Sequence, residues 1–565
     1  MNLISKRIKR SILMLLVVCL VFGSGFCFAA DSENQLVYVK ILAINDFHGQ
    51  ISAGKLVSGR PVGSAPVLAS YLEDAEKGYE GRCLIVHAGD MIGASPASSA
   101  LLQDEPSIMF FNMLGNEYCS ASYRLNPLAN LVGTIGNHEL DEGLDEMLRL
   151  VHGGNHENGP FLESPYTGAD FPYVCANIVD ANNHQPVLLP YVIKQVDGMP
   201  IAFIGAVLKD TPTMVVPSGV AGLEFQDEAQ SINKYAQLLS AEGIHSIVVL
   251  LHQGGSQASY NGLTDPNKPG MTGPALDIVS SLDDDVDVVL SGHSHAFTNA
   301  MVTNNSGKQM LVTQAYSAGT AYADVVVAID PETHDIVDKN AMIVTTYADA
   351  GPGLTPDPNV AVLMADAENY VGPIISQVLG TAQTDITRTA NEAGEEALGN
   401  LIADGMISEM AADFAFMNPG GIRADIYAGE VTWGDLQTVQ PFNNYLVRMN
   451  LTGQQIYDLL EQQWVNQPYT RMLQISGLTY TWNNNLPAGA RIVEVRKDGN
   501  PIDVSATYSV VTNNYLSDGG DNFTVFKQGT NKVAGPVDLD ALVDYVKSHT
   551  QPFSAKIEGR INRLN

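Results

Sequence analysis

Positive charge is scarce in this chain: 30 lysines and arginines stand against 62 aspartates and glutamates, for a formal net charge of −32. No basic footprint exists to displace counterions from a polyanion. Nucleic acid polymers and anionic membrane surfaces are therefore disfavoured partners. Cysteine is also rare, with five among 565 residues, which excludes a disulfide framework for a chain this long. Long hydrophobic runs are confined to one near the N-terminus, and no internal repeat or low-complexity tract is visible. What remains is a globular composition, 45% hydrophobic and 16% charged, on a length that suggests two large domains or roughly three to four smaller ones. A chain this acidic can still handle phosphate if positive charge is supplied locally, and a metal cluster is the obvious supplier.

Residues 1–29 read as an address. Lys6, Arg7, Lys9 and Arg10 form a basic start, and residues 12–22 form an unbroken apolar run. That run is shorter than the roughly 20 residues a membrane span takes. Cys27-Phe28-Ala29-Ala30 follows, and the whole reads as a secretory signal peptide cleaved near Ala29. Phe26 ahead of Cys27 argues against lipidation at that cysteine. The mature chain is expected to be exported, periplasmic or extracellular, with no stable membrane insertion. It keeps Cys83, Cys119 and Cys175, of which Cys119 and Cys175 are candidates to pair. Nothing in the sequence sets an oligomeric state.

Strand-like runs at 36–44, 84–88, 131–135, 201–207, 246–251 and 286–291 are rich in Val, Ile and Leu, as strands buried on both faces require. Helical patterns lie between them, at 67–77 and 228–242 for example, so the first half reads as α/β. Gly351-Pro352-Gly353 through Pro358 breaks the pattern. A helix is expected over 359–379, then a second domain with a helix at 396–410. The domains are accordingly 30–350, a linker helix within 351–380, and 381–565.

The chemistry sits where the first-half strands end. Asp46 and His48 follow the first strand, Gly89-Asp90 the second, and Gly136-Asn137-His138-Glu139 with Asp141 the third; His252 and Gly292-His293-Ser294-His295 follow later ones. Strand ends converge in space, so ligands distant in sequence can meet there. Asp46, His48, Asp90, Asn137, His252, His293 and His295 make seven candidate ligands, more than one ion takes. Two ions sharing Asp90 are the natural reading, and the imidazole, carboxylate and amide mix suits Zn, Mn or Fe rather than calcium. Only two of the seven are carboxylates. Two divalent ions would leave a net positive centre for a hydroxide and a phosphate dianion, a clamp for in-line phosphoryl displacement. His138 adjoins a ligand without having to be one. Asp141 lies three residues on, positioned to orient its imidazole for proton donation to the leaving oxygen. His87 falls inside a strand and is expected to pack; His152, His156, His184, His245, His334 and His549 have no such neighbours and are expected in solvent.

These first-half motifs resemble those of the calcineurin-like metallophosphoesterases. The second half resembles the 5′-nucleotidase C-terminal domain, through Leu398-Gly399-Asn400-Leu401-Ile402-Ala403-Asp404, Asn418-Pro419-Gly420-Gly421-Ile422-Arg423, Pro441-Phe442-Asn443 and Asp518-Gly519-Gly520-Asp521. Together they are similar to secreted bacterial 5′-nucleotidases and their UDP-sugar hydrolase relatives. The resemblance implies an N-terminal two-sheet sandwich flanked by helices and a smaller α/β C-terminal substrate-binding domain. It implies one metal at Asp46, His48, Asp90 and His295, a second at Asp90, Asn137, His252 and His293, and His138 with Asp141 as the catalytic dyad. It also implies a nucleoside held between Phe442 and Tyr515, with Arg388, Asn418, Arg423 and Asp521 as further substrate contacts. The Gly- and Asn-rich surroundings of both aromatics suggest exposed loops. The expected activity is release of phosphate from nucleoside 5′-monophosphates and related nucleotides. Within that class the alternatives are a UDP-sugar or dinucleotide pyrophosphatase and a 2′,3′-cyclic nucleotide phosphodiesterase. From another class comes a nucleotide-binding protein with a decayed site, against which the complete ligand set speaks.

Overall fold

The computed structural model describes residues 35–215, 219–442 and 444–565. The expected signal peptide and Asn443 of the Pro441-Phe442-Asn443 motif lie outside them. Among the described residues no helix is long and apolar enough to cross a membrane.

Twelve strands build the centre of the first domain: β1 (Val37–Ile44), β2 (Cys83–Ala88), β3 (Leu131–Thr134), β4 (Tyr173–Val174), β5 (Tyr191–Val196), β6 (Met199–Val207), β7 (Ile247–His252), β8 (Val286–Ser291), β9 (Phe297–Thr303), β10 (Gln309–Ala315), β11 (Ala321–Ile329) and β12 (Ile336–Thr345). They form two six-stranded sheets, in the orders β12-β11-β1-β2-β3-β4 and β9-β10-β8-β7-β6-β5. Strands β1 to β4 run parallel, as do β6, β7, β8 and β10.

Alternation along each strand explains the layering. On β1, Val39 and Ile41 enter the core between the sheets, where they join Phe203, Val248 and Leu250; Leu42 and Ile44 turn outward against Val67, Leu68 and Leu72 of the helix Ala65–Glu76. On β6, Ala202, Ile204 and Ala206 face Ile232 and Leu239 of the helix Glu228–Ala241. Both faces of the central strands are covered, which is why they read as continuous apolar runs. His87 lies inside β2 with no exposure, ringed by Phe111, Phe171 and Tyr173, as its packing assignment requires.

The linker helix runs Pro358–Ile375, with the Asp357 carboxylate accepting from Val360 N at 2.7 Å. It ends earlier than its apolar period suggests because Val378–Ala382 pairs as a strand with Gly429–Thr432. Val360, Leu363, Ala367 and Val371 belong to the core of the first domain, so the helix packs as part of that domain. The second domain centres on a five-stranded sheet whose two faces carry separate cores: Ala415 and Met417 point into one, Phe414 and Phe416 into the other. Cys83, Cys119 and Cys175 are all free, so the candidate pairing of Cys119 with Cys175 is not made.

Leu250, fully buried in the inter-sheet core, is a test of the layering. Leu250→Ala is expected to cost about 2–5 kcal/mol, read as a lowered denaturation midpoint of the first domain; a change within experimental error would contradict that placement.

Candidate active site

All seven sequence-expected ligands come together at the C-terminal ends of the parallel strands. Asp46 and His48 follow β1, Asp90 follows β2 and Asn137 follows β3, while His293 and His295 follow β8. His252, expected just beyond its strand, is the last residue of β7. Five of the seven, Asp46, His48, Asp90, His293 and His295, have φ between 50° and 76°. Left-handed backbone at a non-glycine residue costs on the order of 1–3 kcal/mol and persists only where the surroundings impose it.

The ligand atoms form two groups. In one, Asp46, His48 and His295 place their donor atoms within 4.8 Å of one another, with His48 Nε2 3.0 Å from His295 Nε2 and Asp46 Oδ1 3.5 Å from His295 Nε2. In the other, His252 Nε2 lies 3.1 Å from Asp90 Oδ2 and 3.2 Å from Asn137 Oδ1, and His293 Nδ1 lies 3.0 Å from that same amide oxygen. Asp90 Oδ2 is also 3.9 Å from His48 Nε2, so one carboxylate oxygen stands between the groups.

Tautomers make these contacts informative. His48 Nδ1 is 2.8 Å from the Gly93 carbonyl and His252 Nδ1 is 2.7 Å from the Ala88 carbonyl. A carbonyl only accepts, so both Nδ1 atoms carry a proton, and both Nε2 atoms are the ones turned toward the other donors. Nitrogen, carboxylate and amide oxygen donors thus converge in each group, an arrangement in which a cation can take the place of the protons between them. The donor set fits divalent transition metals or zinc. Burial pushes His48 down to about 3 and His293 to about 4, which keeps both neutral. His252 is raised to about 9, because Asp90 outweighs the opposing effect of burial; proton and cation compete for it.

Glu139 received no role from the sequence, yet it fixes this geometry. Its buried carboxylate accepts from Asp90 N at 2.9 Å, Met91 N at 2.8 Å and Gly136 N at 2.5 Å, tying the loop after β2 to the loop after β3. These loops touch so closely that a Cβ on Gly136 would lie 2.1 Å from Asp90 Oδ1. Gly136 is local, but Asp90 and Met91 are brought to Glu139 only by β2–β3 pairing, so no local signal announced their contact.

His138 Nδ1 and Asp141 Oδ2 are 2.7 Å apart. Burial opposes the imidazolium, but Asp141 and Asp90 outweigh it and raise His138 to about 9. The His138 backbone N–H donates to Asp90 Oδ1 at 2.9 Å.

The second domain closes over this corner. The Phe442 ring stacks on His138 at 5.8 Å and 8°, and the Arg423 guanidinium carbon lies 5.7 Å from the Phe442 ring centre. No hydrogen bond or ion pair engages the Arg423 side chain among the described residues. Burial and nearby Arg388 both weaken its hold on its proton, while Asp141 and Asp90 strengthen it. Arg388 Nη1 donates to the Ile422 carbonyl at 3.3 Å. Asn418 Nδ2 donates to Asp521 Oδ2 at 3.1 Å. Tyr515 departs from the exposed-loop expectation: it is buried on the short helix Asn514–Ser517, and its hydroxyl lies 2.9 Å from both Asp521 Oδ1 and the Thr213 carbonyl. Phe442, half-buried, meets His138 rather than Tyr515.

Four histidines expected in solvent have partners, one of them His156, whose Nδ1 accepts from Asn158 N at 3.2 Å. His245 Nδ1 is 3.0 Å from Asp285 Oδ1, His184 Nδ1 is 3.4 Å from Glu224 Oε2, and His549 Nδ1 donates to the Tyr545 carbonyl at 2.8 Å. His156 gathers with Glu142 and Glu146.

Known proteins share both halves of the chain. A family model described as calcineurin-like phosphoesterase matches residues 39–297, and one described as 5′-nucleotidase, C-terminal domain, matches 377–528. The cell wall protein Lmo0130 of Listeria monocytogenes is 34% identical over 99% of this chain and 74% of its own length. Endonuclease YhcR of Bacillus subtilis is 38% identical over 95% of this chain, which spans only 42% of that protein. The 5′-nucleotidase precursor from Thermus thermophilus superposes with a TM-score of 0.73 at 28% identity, covering 94% of this chain and all of that one.

Gly136→Ala places a methyl group on the Asp90 carboxylate. Elemental analysis of that variant is expected to show metal content well below that of the parent. Glu139→Gln replaces an acceptor with a donor facing backbone N–H groups and is expected to lower the melting temperature by several degrees, equivalent to about 1–3 kcal/mol. Parental metal content in the first variant, or a parental melting temperature in the second, would contradict these roles.

Proposed function

We infer, for a chain that belongs to the 5′-nucleotidase family with its calcineurin-like phosphoesterase domain, a hydrolase that releases phosphate from nucleoside 5′-monophosphates and related nucleotides. The observation that carries this reading is the meeting of two sites. Phe442 and Arg423 of the second domain stand directly over His138, beside both ligand groups of the first. A nucleoside held by the second domain therefore presents its 5′-phosphate to the metal-binding corner.

Two divalent cations, at Asp46, His48, Asp90 and His295 and at Asp90, Asn137, His252 and His293, would supply Lewis acidity toward phosphate oxygens and a water nucleophile. The protein's own groups do the rest. Arg423 and Arg388 bind phosphate oxygens and hold the ester in line. His138, kept protonated by Asp141, donates its Nε2 proton to the departing 5′-oxygen. Asp521 and Asn418 orient the sugar, and the Phe442 ring offers a stacking face to the base, a mode of recognition tolerant of base identity; Tyr515, buried with its hydroxyl on Asp521, holds that carboxylate. Export follows from the basic and apolar leader, and the cell wall designation of the Listeria relative supports it. The endonuclease designation belongs to a protein of which this chain spans 42%; the formal charge of −32 disfavours a polyanion as substrate of this chain.

Hydrolysis of AMP, ATP, UDP-glucose and 2′,3′-cyclic AMP, followed by separating the nucleotide products, is expected to favour AMP. A clear preference for either of the last two substrates would move the assignment to a pyrophosphatase or a phosphodiesterase. No turnover of any, with Mn or Zn present, would make the chain a binding protein. His138→Ala is expected to lower kcat by about 10²–10⁴-fold with metal content retained. Loss of metal in that variant would make His138 a ligand.

A further inference from the structure

Arg471 carries a role that neither motif nor comparison assigns. It is 5% exposed, and its Nη1 donates to Gln467 Oε1 at 3.0 Å and lies 3.4 Å from Asp521 Oδ1. Its guanidinium carbon sits 4.8 Å from the centre of the Tyr469 ring, a side chain that is itself 65% exposed. Gln467 turns back to donate Nε2 to the Asp521 backbone carbonyl at 2.7 Å. Segment 467–471 therefore grips Asp521 at both its carboxylate and its backbone.

That grip has something to hold. Asp521 and Asn522 have φ of 53° and 61°, two consecutive non-glycine residues in the left-handed region, which needs outside support. Asp521 is buried, and burial disfavours its charged form; Arg471 is the cation that opposes this, while Tyr515 and Asn418 occupy other lone pairs. A carboxylate accepts two hydrogen bonds from a sugar diol well only when it is ionised and fixed. An arginine, planar and always charged, can supply the charge while its face supports an aromatic ring.

We propose that Arg471 is a positioning residue for sugar recognition: it holds the Asp521 carboxylate toward the ribose diol and Tyr469 at the mouth of the nucleoside cleft, so that substrates carrying the diol are selected. This rests on the reading of Asp521 as the sugar contact. Arg471 touches no reacting atom; it acts through Asp521.

The test compares kcat and KM for AMP, 2′,3′-dideoxy-AMP and an aryl phosphate in the full-length protein and in Arg471→Gln, Arg471→Lys and Asp521→Asn. Arg471→Gln is expected to lower kcat/KM for AMP roughly 10- to 100-fold, mostly through KM, and to collapse the preference for AMP over the dideoxy analogue. Arg471→Lys, which keeps the charge, is expected to recover part of that preference. If Asp521→Asn loses the preference while Arg471→Gln keeps it, the proposal is overturned and the cleft reading stands. If Asp521→Asn also keeps it, the cleft reading itself fails. Should Arg471→Gln not fold, Gln467→Leu, which removes one anchor of Arg471, takes its place. An unchanged preference in both Gln467→Leu and Arg471→Lys then overturns the proposal.

Discussion

The convergence of nitrogen and oxygen donor atoms at the strand ends is the constraint on which the site depends. His252 Nε2 is held within 3.2 Å of Asp90 Oδ2 and Asn137 Oδ1 because its Nδ1 proton is committed to the Ala88 carbonyl. His48 is turned toward His295 in the same way by the Gly93 carbonyl. Left-handed backbone at five ligands, glycine at 136 and the triple acceptor Glu139 all work to impose this convergence. The two six-stranded sheets supply the rigidity, because their central strands are packed on both faces and cannot shift to relieve the corner.

The second domain contributes what an acidic metal domain lacks. Arg423, free of any carboxylate partner among the described residues, brings positive charge to a chain with twice as many acids as bases. On the proposed function, its stack with Phe442, and of Phe442 on His138, joins nucleoside binding to the proton donor. Binding energy gathered at the remote sugar and base can thus orient the phosphate. The contacts that hold the domains in this relation are few, among them Gln437 Nε2 to the Ser95 carbonyl at 3.3 Å and Tyr515 to Thr213.

The convergence of the seven candidate ligands was legible because each stands at the end of an apolar strand, where topology rather than chance brings side chains together. The dyad was legible because a separation of three residues spans one helical turn, and a single tight turn does place His138 against Asp141. What escaped depended on partners remote in sequence. Glu139 meets donors 49 and 48 residues away, and Arg471 meets Asp521 fifty residues on. His245 looked solitary because its partner Asp285 lies forty residues further along. Gly-rich surroundings suggested an exposed Tyr515, yet the Asn513 side chain caps a short helix there and draws the ring inward. The linker helix ended early because strand pairing with Gly429–Thr432 outweighed a local apolar period.

If the converging donors form metal sites, cations must stabilise the fold and not only the reaction. The direct measurement is the melting temperature of chelated protein titrated with Mn or Zn, with bound metal counted in parallel. The account predicts binding that saturates at two ions per chain, with the melting temperature continuing to rise as metal exceeds its dissociation constant. A melting temperature indifferent to chelation, in protein that elemental analysis shows to be free of metal, would contradict it.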